Sequence, residues 1–336
     1  MSKLKKAILI ALPIIGAALV ILNYYFVPDK NDIFVKKWHY PAVISYIPLQ
    51  FLVKCLYFKL QDRKLKRGTL KNTNKLEEYL EKSPRILAML LFFTLWDVLT
   101  AKLGIISSFY FPDGSRIVGA ITKVDKLKGA EWKTVGLHIL NSLRLLFTGY
   151  FAGLAAGFIT GAFAGWFPKA RYWIMPIVKK IGPIPSTIWL PIFVSFIPGF
   201  FAVRIVIIAF GVWFPASLMT ATGIMAVPSS YFEVAKTLGA KKNYLLFKVA
   251  LPATMPSLFM GMFMGMSISC VALISAESIG AKSGLGFFIT NAISWGEYNK
   301  VYAGVIIILL IFSTVISLLF KINTKLLKWQ KDNIQW

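Results

Sequence analysis

The chain has 336 residues, of which 57% are apolar and 15% are charged, and 38 Lys and Arg against 14 Asp and Glu give a formal net charge of +24. A typical soluble domain has about 25% charged residues, so this composition excludes an ordinary soluble domain. The mean hydropathy of +0.66 leaves little of the polar surface on which nucleic-acid-binding proteins display their basic residues. Cys55 and Cys270 lie in apolar runs and supply neither a disulfide framework nor a cysteine metal site.

Long uncharged runs predict several membrane crossings. A transmembrane helix needs about 20 mostly apolar residues, because the hydrocarbon core is ~30 Å thick and a helix rises ~1.5 Å per residue. Two candidates, 38–58 and 86–110, contain one and two charged residues. Six further runs contain none: 7–28, 145–168, 181–203, 205–232, 249–276 and 301–320. The sequence therefore predicts an all-α integral membrane protein with about eight transmembrane helices.

The distribution of Lys and Arg predicts the orientation of these helices, because cytoplasmic loops carry an excess of basic residues. With a cytoplasmic N-terminus, the inner segments hold 24 basic residues and the outer segments hold 11. We therefore expect a multi-pass protein of the inner or plasma membrane with both termini in the cytoplasm. Membrane lipid, whose headgroups attract basic loops, accounts for the charge without a nucleic-acid partner. The first run lacks a small-residue cleavage site and is expected to remain as an anchor.

A polar segment at 59–85, with nine basic and four acidic residues, separates the first two predicted spans from the rest. This composition predicts a linker. The predicted domains are an N-terminal two-helix hairpin with a basic cytoplasmic linker at 1–84, a transmembrane core at 85–325 and a cytoplasmic tail at 326–336.

Glycines recur at every fourth position of one predicted helix. Positions without a side chain let a second helix approach closely. In lipid the hydrophobic effect does not drive helices together, so the van der Waals contacts of this close packing stabilise their association. We therefore expect these glycines to serve helix packing rather than chemistry: Gly149, Gly153, Gly157, Gly161 and Gly165.

Residues that carry chemistry are few. The two histidines, His39 and His138, stand apart, and the sequence has no HExxH, GxSxG or Walker motif. We expect no catalytic residue, no metal site and no ATP bound by this chain itself. A charge at the centre of a membrane costs at least ~2.5 to 3.5 kcal/mol and marks a functional candidate, unless it snorkels to the interface. The charges close to predicted spans are Lys54, Asp97, Lys102, Arg144, Arg204 and Glu277.

The loop that follows the span ending near residue 227 has recognisable helix signals. Ser230 followed by Glu233 predicts a capping box that starts a short helix. Gly239 can adopt a positive φ and end that helix. A second helix is predicted from about 241 to 249, where Pro252 stops it. The result is a compact knob on the cytoplasmic side.

This loop resembles the EAA loop of permease subunits of ABC importers. That pattern reads E-A-A, three residues, G, nine residues, I, one residue, then L-P. Its spacing is reproduced by Glu233-Val234-Ala235, Gly239 and Val249-Ala250-Leu251-Pro252. Val234 replaces the first Ala of the pattern and Val249 replaces Ile. The ATPase-coupling residues carried over are Glu233, Ala235, Gly239, Leu251 and Pro252.

More of the chain, from about 85 to 325, is similar to the nitrate, sulfonate, taurine and bicarbonate branch of that family. The similar segments are 90–121, 138–165, 182–193 and 276–289. The resemblance implies a six-helix type I importer core, to which the first 84 residues are an addition. It implies a non-catalytic subunit that works as a homodimer with a cytoplasmic ABC ATPase dimer and an external substrate-binding protein, with ATP and Mg on the ATPase.

The branch suggests a small anion as the solute, whose charge Arg144 and Arg204 would offset. These arginines and Glu277 are the candidate residues of the translocation path, although both arginines could equally be structural. Two alternatives remain at this stage. One is a membrane-embedded enzyme, which would need a polar constellation, and the other is an ATP-independent carrier, which has no use for an EAA loop.

Overall fold

The computed structural model describes residues 3–27, 39–65, 75–103, 105–107, 109–123 and 131–327. Within these ranges every regular element is a helix and there is no strand. In chain order the helices are α1 (Lys3–Phe26), α2 (His39–Leu65), α3 (Lys75–Leu80), α4 (Ser83–Asp97), α5 (Gly114–Lys123), α6 (Glu131–Trp166), α7 (Pro168–Ile181), α8 (Leu190–Phe196), α9 (Phe200–Met225), α10 (Ser229–Thr237), α11 (Lys242–Tyr244), α12 (Leu251–Glu277), α13 (Leu285–Ser294) and α14 (Tyr298–Leu326).

Among the described residues, seven stretches of helix are long and apolar enough to cross a membrane, and an eighth candidate is a helix pair bent by 92°. The predicted class, an all-α membrane protein with about eight spans, is thereby confirmed. The span predicted at 181–203 has different bounds, since the bent pair comprises Pro168–Ile181 and Ser186–Phe196. The chain there ends α7 at Ile181, turns, and forms a 3₁₀ segment (Ser186–Trp189) before α8. The break contains Gly182, Pro183 and Pro185. The two prolines explain it, because each lacks the amide proton of a helical hydrogen bond and its ring crowds the preceding turn of a helix.

The first compact unit contains α1 to α5 together with residues 296–303. Its apolar core includes Val20, Tyr24 and Leu90, contributed by α1 and α4. At the α3 end, Lys6 forms a 2.8 Å ion pair with Glu77, and this hydrogen bond holds the pKa of Glu77 below its usual value. The predicted domain boundary near residue 84 lies inside this unit. That boundary, which separates the family-like core from the first 84 residues, stays a prediction.

Two charged residues of the first unit are buried rather than snorkelling. Asp97 is 2% exposed and accepts a 2.7 Å hydrogen bond from the amide of Asn23. Lys102 donates a 2.6 Å hydrogen bond to the carbonyl oxygen of Val27. The snorkelling interpretation is therefore wrong for these two residues, because Asn23 of α1 and the carbonyl of Val27, which directly follows α1, hydrogen-bond to them inside the unit.

The second compact unit contains α6 to α13 and residues 304–326. Its core lies between α6, α9 and α12 and includes Leu146, Ile207 and Met266. The five-glycine stripe of α6 faces α9: a Cβ at Gly149 would lie 2.7 Å from Cβ of Ile208, and one at Gly165 would lie 2.9 Å from Cβ of Ile224. Both residue numbers rise together along the contact, so α6 and α9 are parallel.

The parallel packing of α6 and α9 has a topological consequence. Two consecutive spanning helices that run in the same direction require the intervening chain to return across the membrane. Because that chain is the bent pair α7 and α8, we interpret the pair as one broken span, which brings the number of spans within the described part of the chain to eight.

Candidate functional site

The first candidate site is the loop between α9 and α12. Helix α10 begins at Ser229 and ends at Thr237. Gly239 follows with φ +80°. The amide of Gly239 donates to the carbonyl of Lys236 at 2.9 Å, and the amide of Ala240 donates to that of Ala235 at 3.0 Å. These two bonds are the Schellman motif, so the predicted glycine corner is present with its expected geometry.

The start of α10 differs from the prediction. The residue that caps the helix is Pro228, in an extended conformation and without a side-chain hydrogen bond to the helix. The predicted capping box of Ser230 and Glu233 is therefore wrong, since both side chains lie inside the first turn or two of the helix. The fixed φ of Pro228 sets the backbone conformation at the start of α10, and no side chain accepts a hydrogen bond from the first amides of the helix.

The second half of the loop is also longer than predicted. Helix α11 passes through a π-helical segment (Leu245–Ala250) directly into α12, and together they form one helical stretch from Lys242 to Glu277. Pro252 does not stop this helix. It occupies the first turn of α12, just after the wider π turn, where the i→i+5 bonding leaves room for a ring that lacks an amide proton. The knob is thus continuous with a membrane-spanning helix.

The outer surface of the knob is unusually apolar for a loop. Helix α10 contains no buried residue. Its Tyr231 and Val234 are exposed, and so is Leu238, which directly follows the helix and is 83% exposed. Their spacing places them along one face of the helix. Phe232 points inward, with its ring 6.0 Å from that of Trp166 at the end of α6. Glu233 is exposed beside the apolar face and Ala235 is half-buried.

The second candidate site is a polar cavity of about 310 Å³ near the opposite ends of α9 and α12. Since α12 has 27 residues, the knob and the cavity are separated by roughly 40 Å of helix at ~1.5 Å per residue. The structure brings together all three predicted residues of the translocation path here, Arg144, Arg204 and Glu277. It adds one residue that the sequence argument missed, Lys282.

Glu277 is the buried anchor of this region. It is 1% exposed, and its carboxylate accepts a 2.6 Å hydrogen bond from the hydroxyl of Ser142 and a 2.8 Å bond from the amide of Gly286. A Cβ at Gly284, where φ is +127°, would lie 2.5 Å from Oε1 of Glu277. The close approach of the backbone to the carboxylate therefore requires glycine at this position.

The same contacts hold the beginning of α13. The amide of Gly284 donates to Nδ1 of His138 at 2.9 Å, and the amide of Leu285 donates to Ser142 at 2.8 Å. With Gly286 bonded to Glu277, three successive amides at the start of α13 have side-chain acceptors. A negative group at a helix N-terminus is also favoured by the helix dipole. Sequence reasoning missed His138 and Ser142, although their i, i+4 spacing places them on one helix face.

A third opening lies where the broken span bends. This pocket of about 430 Å³ is lined by the hydroxyl residues Ser186, Thr187 and Ser267 and by Phe214. Irregular backbone at membrane depth is tolerated where it lines a cavity, and discontinuous helices line the solute sites of several transporters. Among the described residues, no group of three or more His, Cys, Asp or Glu could hold a metal ion.

The fold and these openings define a multi-span membrane protein of the transporter class. Residues 153–328, more than half of the chain, match the family described as binding-protein-dependent transport system inner membrane component. The chain therefore belongs to this family of ABC importer permeases, as the EAA-like loop predicts.

Several curated members of the family align with most of the chain. The putative aliphatic sulfonates transport permease protein SsuC of Bacillus subtilis is 30% identical over 71% of this chain and 84% of that protein. The taurine transport system permease protein TauC of Escherichia coli is 26% identical, covering 64% and 78%. The nitrate import permease protein NrtB of Synechococcus elongatus is 26% identical, covering 70% and 82%. The predicted branch of the family is thereby confirmed.

A solved structure of the MetNI methionine ABC transporter in an inward-facing conformation shares the fold. It covers 60% of this chain and 97% of that chain with a TM-score of 0.50 at 18% identity.

Proposed function

We propose that this chain forms the translocation path for a small anion and couples its movement to ATP hydrolysis on a separate subunit. The solute class follows the names of the relatives and includes sulfonates, taurine, nitrate and bicarbonate. The complex would contain a second permease copy, a dimer of cytoplasmic ABC ATPases that hold ATP and Mg, and an external substrate-binding protein. Arg144, Arg204 and Glu277 belong to the path at the cavity end.

The exposed apolar face of the knob is the observation that carries the coupling role. Tyr231, Val234 and Leu238 form a contiguous apolar surface on a loop whose other exposed residues include Lys236 and Lys241. Exposed apolar patches rimmed by polar residues mark protein interaction sites. Because α11 continues into α12 without a stop, a force applied to the knob passes directly into a helix that reaches the cavity. A partner that docks on the knob can thus move the path.

Gly239→Val is the sharpest test of this role. A Cβ at residue 239 meets no atom within 4 Å, so the substitution causes no collision and acts only through the positive φ. A β-branched residue in the left-handed region costs about 1 to 2 kcal/mol, which the chain relieves by reorienting α10. We expect normal membrane insertion and dimerisation, with weakened ATPase binding or ATP hydrolysis that no longer drives uptake.

Gly239→Asn is the matched control, because Asn tolerates the left-handed region several-fold better than other residues. It should retain most coupling. Leu238→Ser, at the most exposed apolar position, should weaken ATPase co-purification without strain. Normal ATPase co-purification together with normal ATP-coupled uptake in the Gly239→Val protein would contradict the coupling role of the knob.

A further inference from the structure

The polar cavity of the second unit has an unbalanced set of charges. Its lining includes the side chains of Arg144, Arg204 and Lys282 and one carboxylate, that of Glu277. Like charges gathered in a low-dielectric cleft repel one another unless a counter-ion joins them. Glu277 is the acidic residue of this lining that could act as the counter-ion.

The hydrogen bonds of Glu277 show that its carboxylate is already engaged. One oxygen accepts from Ser142 and the other from the amide of Gly286, and the side chain is almost completely buried. Arg204 lines the same cavity as Glu277, but no hydrogen bond or ion pair joins the two in the described structure. Glu277 is therefore a positioning residue that holds the loop carrying Lys282, while its two carboxylate oxygens already accept hydrogen bonds from Ser142 and from the amide of Gly286.

The two arginines keep donors for a ligand. Nε of Arg204 donates to the carbonyl of Phe200 at 3.0 Å, and the guanidinium lies 6.0 Å from the centroid of the Phe201 ring. These contacts orient the guanidinium and leave its two terminal nitrogens available. The guanidinium of Arg144 is exposed and has no hydrogen bond or ion pair within the described ranges. A planar guanidinium fork matches an oxyanion in two-point geometry.

From this geometry we propose that Arg144, Arg204 and Lys282 form a binding subsite for a small oxyanion, with the polar side chains of Asn141 and Ser283 as further lining. The cavity of about 310 Å³ lies at the lower end of the range found for small-molecule sites. It stands at the end of α9 and α12 remote from the knob, which is where a solute arriving from an external binding protein enters. This inference rests on the proposed transport function, and it names the residues that would contact the transported anion.

A cysteine reporter measures the charge of the cavity without requiring transport. Ser283→Cys is placed in a protein carrying Cys55→Ser and Cys270→Ser, and the assembled complex is reconstituted in phosphatidylcholine nanodiscs. We expect an anionic methanethiosulfonate to react about tenfold faster than a cationic one of similar size, since a cationic cleft concentrates anions by at least that factor. Taurine, ethanesulfonate or nitrate should slow the reaction relative to sodium chloride at equal ionic strength.

Substitutions assign the effect to the proposed cations. Arg204→Gln and Arg144→Gln should each reduce the preference for the anionic reagent several-fold, whereas Arg204→Lys should keep most of it. Lys179→Gln removes one exposed charge from α7, outside the cavity lining, and should change nothing. Equal rates for the two reagents in the unsubstituted cavity would overturn the proposal.

An anionic lipid presents the same phosphate chemistry as a free oxyanion, so the measurement is repeated with phosphatidylglycerol in the nanodisc. Protection by phosphatidylglycerol alone, with none by the free anions, would assign the cavity to lipid and overturn the subsite.

Uptake into proteoliposomes separates this inference from the function it rests on. We expect Arg204→Gln to raise the half-saturating anion concentration about tenfold, the effect of losing a charge-assisted hydrogen bond. Absence of ATP-dependent anion uptake by the unsubstituted complex contradicts the proposed function. Normal uptake by the Arg144→Gln, Arg204→Gln double variant, in contrast, leaves that function standing and contradicts the subsite.

Discussion

At the scale of single residues, the second unit shows how a carboxylate is kept inside a membrane protein. Burial of an unpaired charge is costly, and Glu277 avoids that cost through a hydroxyl and a backbone amide. Gly284 is part of the same arrangement, because any side chain there would displace the carboxylate. The sequence marked Glu277 as unusual but gave no indication of Ser142, which lies 135 positions away in the chain.

Gly284→Ala tests this arrangement. The added methyl group meets the carboxylate of Glu277, and φ of +127° is strained for any side chain, so we expect a loss of about 1 to 3 kcal/mol of stability. Thermal unfolding of the purified protein in detergent should show a lower midpoint. Gly136→Ala is the control, because a Cβ there meets nothing within 4 Å and alanine favours the helix by up to about 1 kcal/mol. Equal midpoints for the two variants would contradict the tight contact.

At the scale of secondary-structure elements, the contact of α6 with α9 is the best example of a pattern that predicts packing. The fourfold glycine repeat indicates a face of close approach, and every one of the five glycines meets α9. Two other features of the helices were not predicted by the sequence pattern. The uninterrupted apolar run at 181–203 conceals a 92° bend, and Pro252 sits in a helix instead of ending it. Both depend on backbone hydrogen bonding that hydropathy does not report.

Gly153→Ala tests the α6–α9 contact. Its Cβ would collide with the backbone carbonyl of Ala209, which cannot turn aside as a side chain can, so the two helices must separate. Overpacking of this kind costs about 1 to 3 kcal/mol. We expect a lower unfolding midpoint and less efficient reconstitution, whereas the same change at Gly136 on the same helix should be harmless. An unchanged midpoint would show that α6 and α9 are less closely packed than described.

At the scale of the whole molecule, an even number of spans among the described residues predicts that Leu4 and Leu326 lie on one side of the membrane, and the basic residues predict that this side is the cytoplasm. Cysteines introduced singly into a protein lacking Cys55 and Cys270 measure it. We expect Leu4→Cys and Leu238→Cys, both at exposed positions, to react with an impermeant maleimide only after the cells are permeabilised. Ser283→Cys should react in intact cells.

Each result of this labelling has a distinct meaning. Labelling of Leu238→Cys from outside would contradict the orientation. Opposite sidedness of Leu4→Cys and Leu238→Cys would show that the α7–α8 pair enters and leaves on the same face, contrary to the parallel packing of α6 and α9.

The sequence by itself determined the class of protein, because membrane insertion depends on local properties: the length of uncharged runs, the bias of Lys and Arg and the glycine spacing. It also determined the corner of the knob, since the end of a helix at Gly239 follows from a local backbone preference. Only the tertiary structure decided what the isolated charges do. Asp97 and Asn23, or Glu277 and Ser142, become partners only when distant helices pack, and neither composition nor periodicity contains the distance between them.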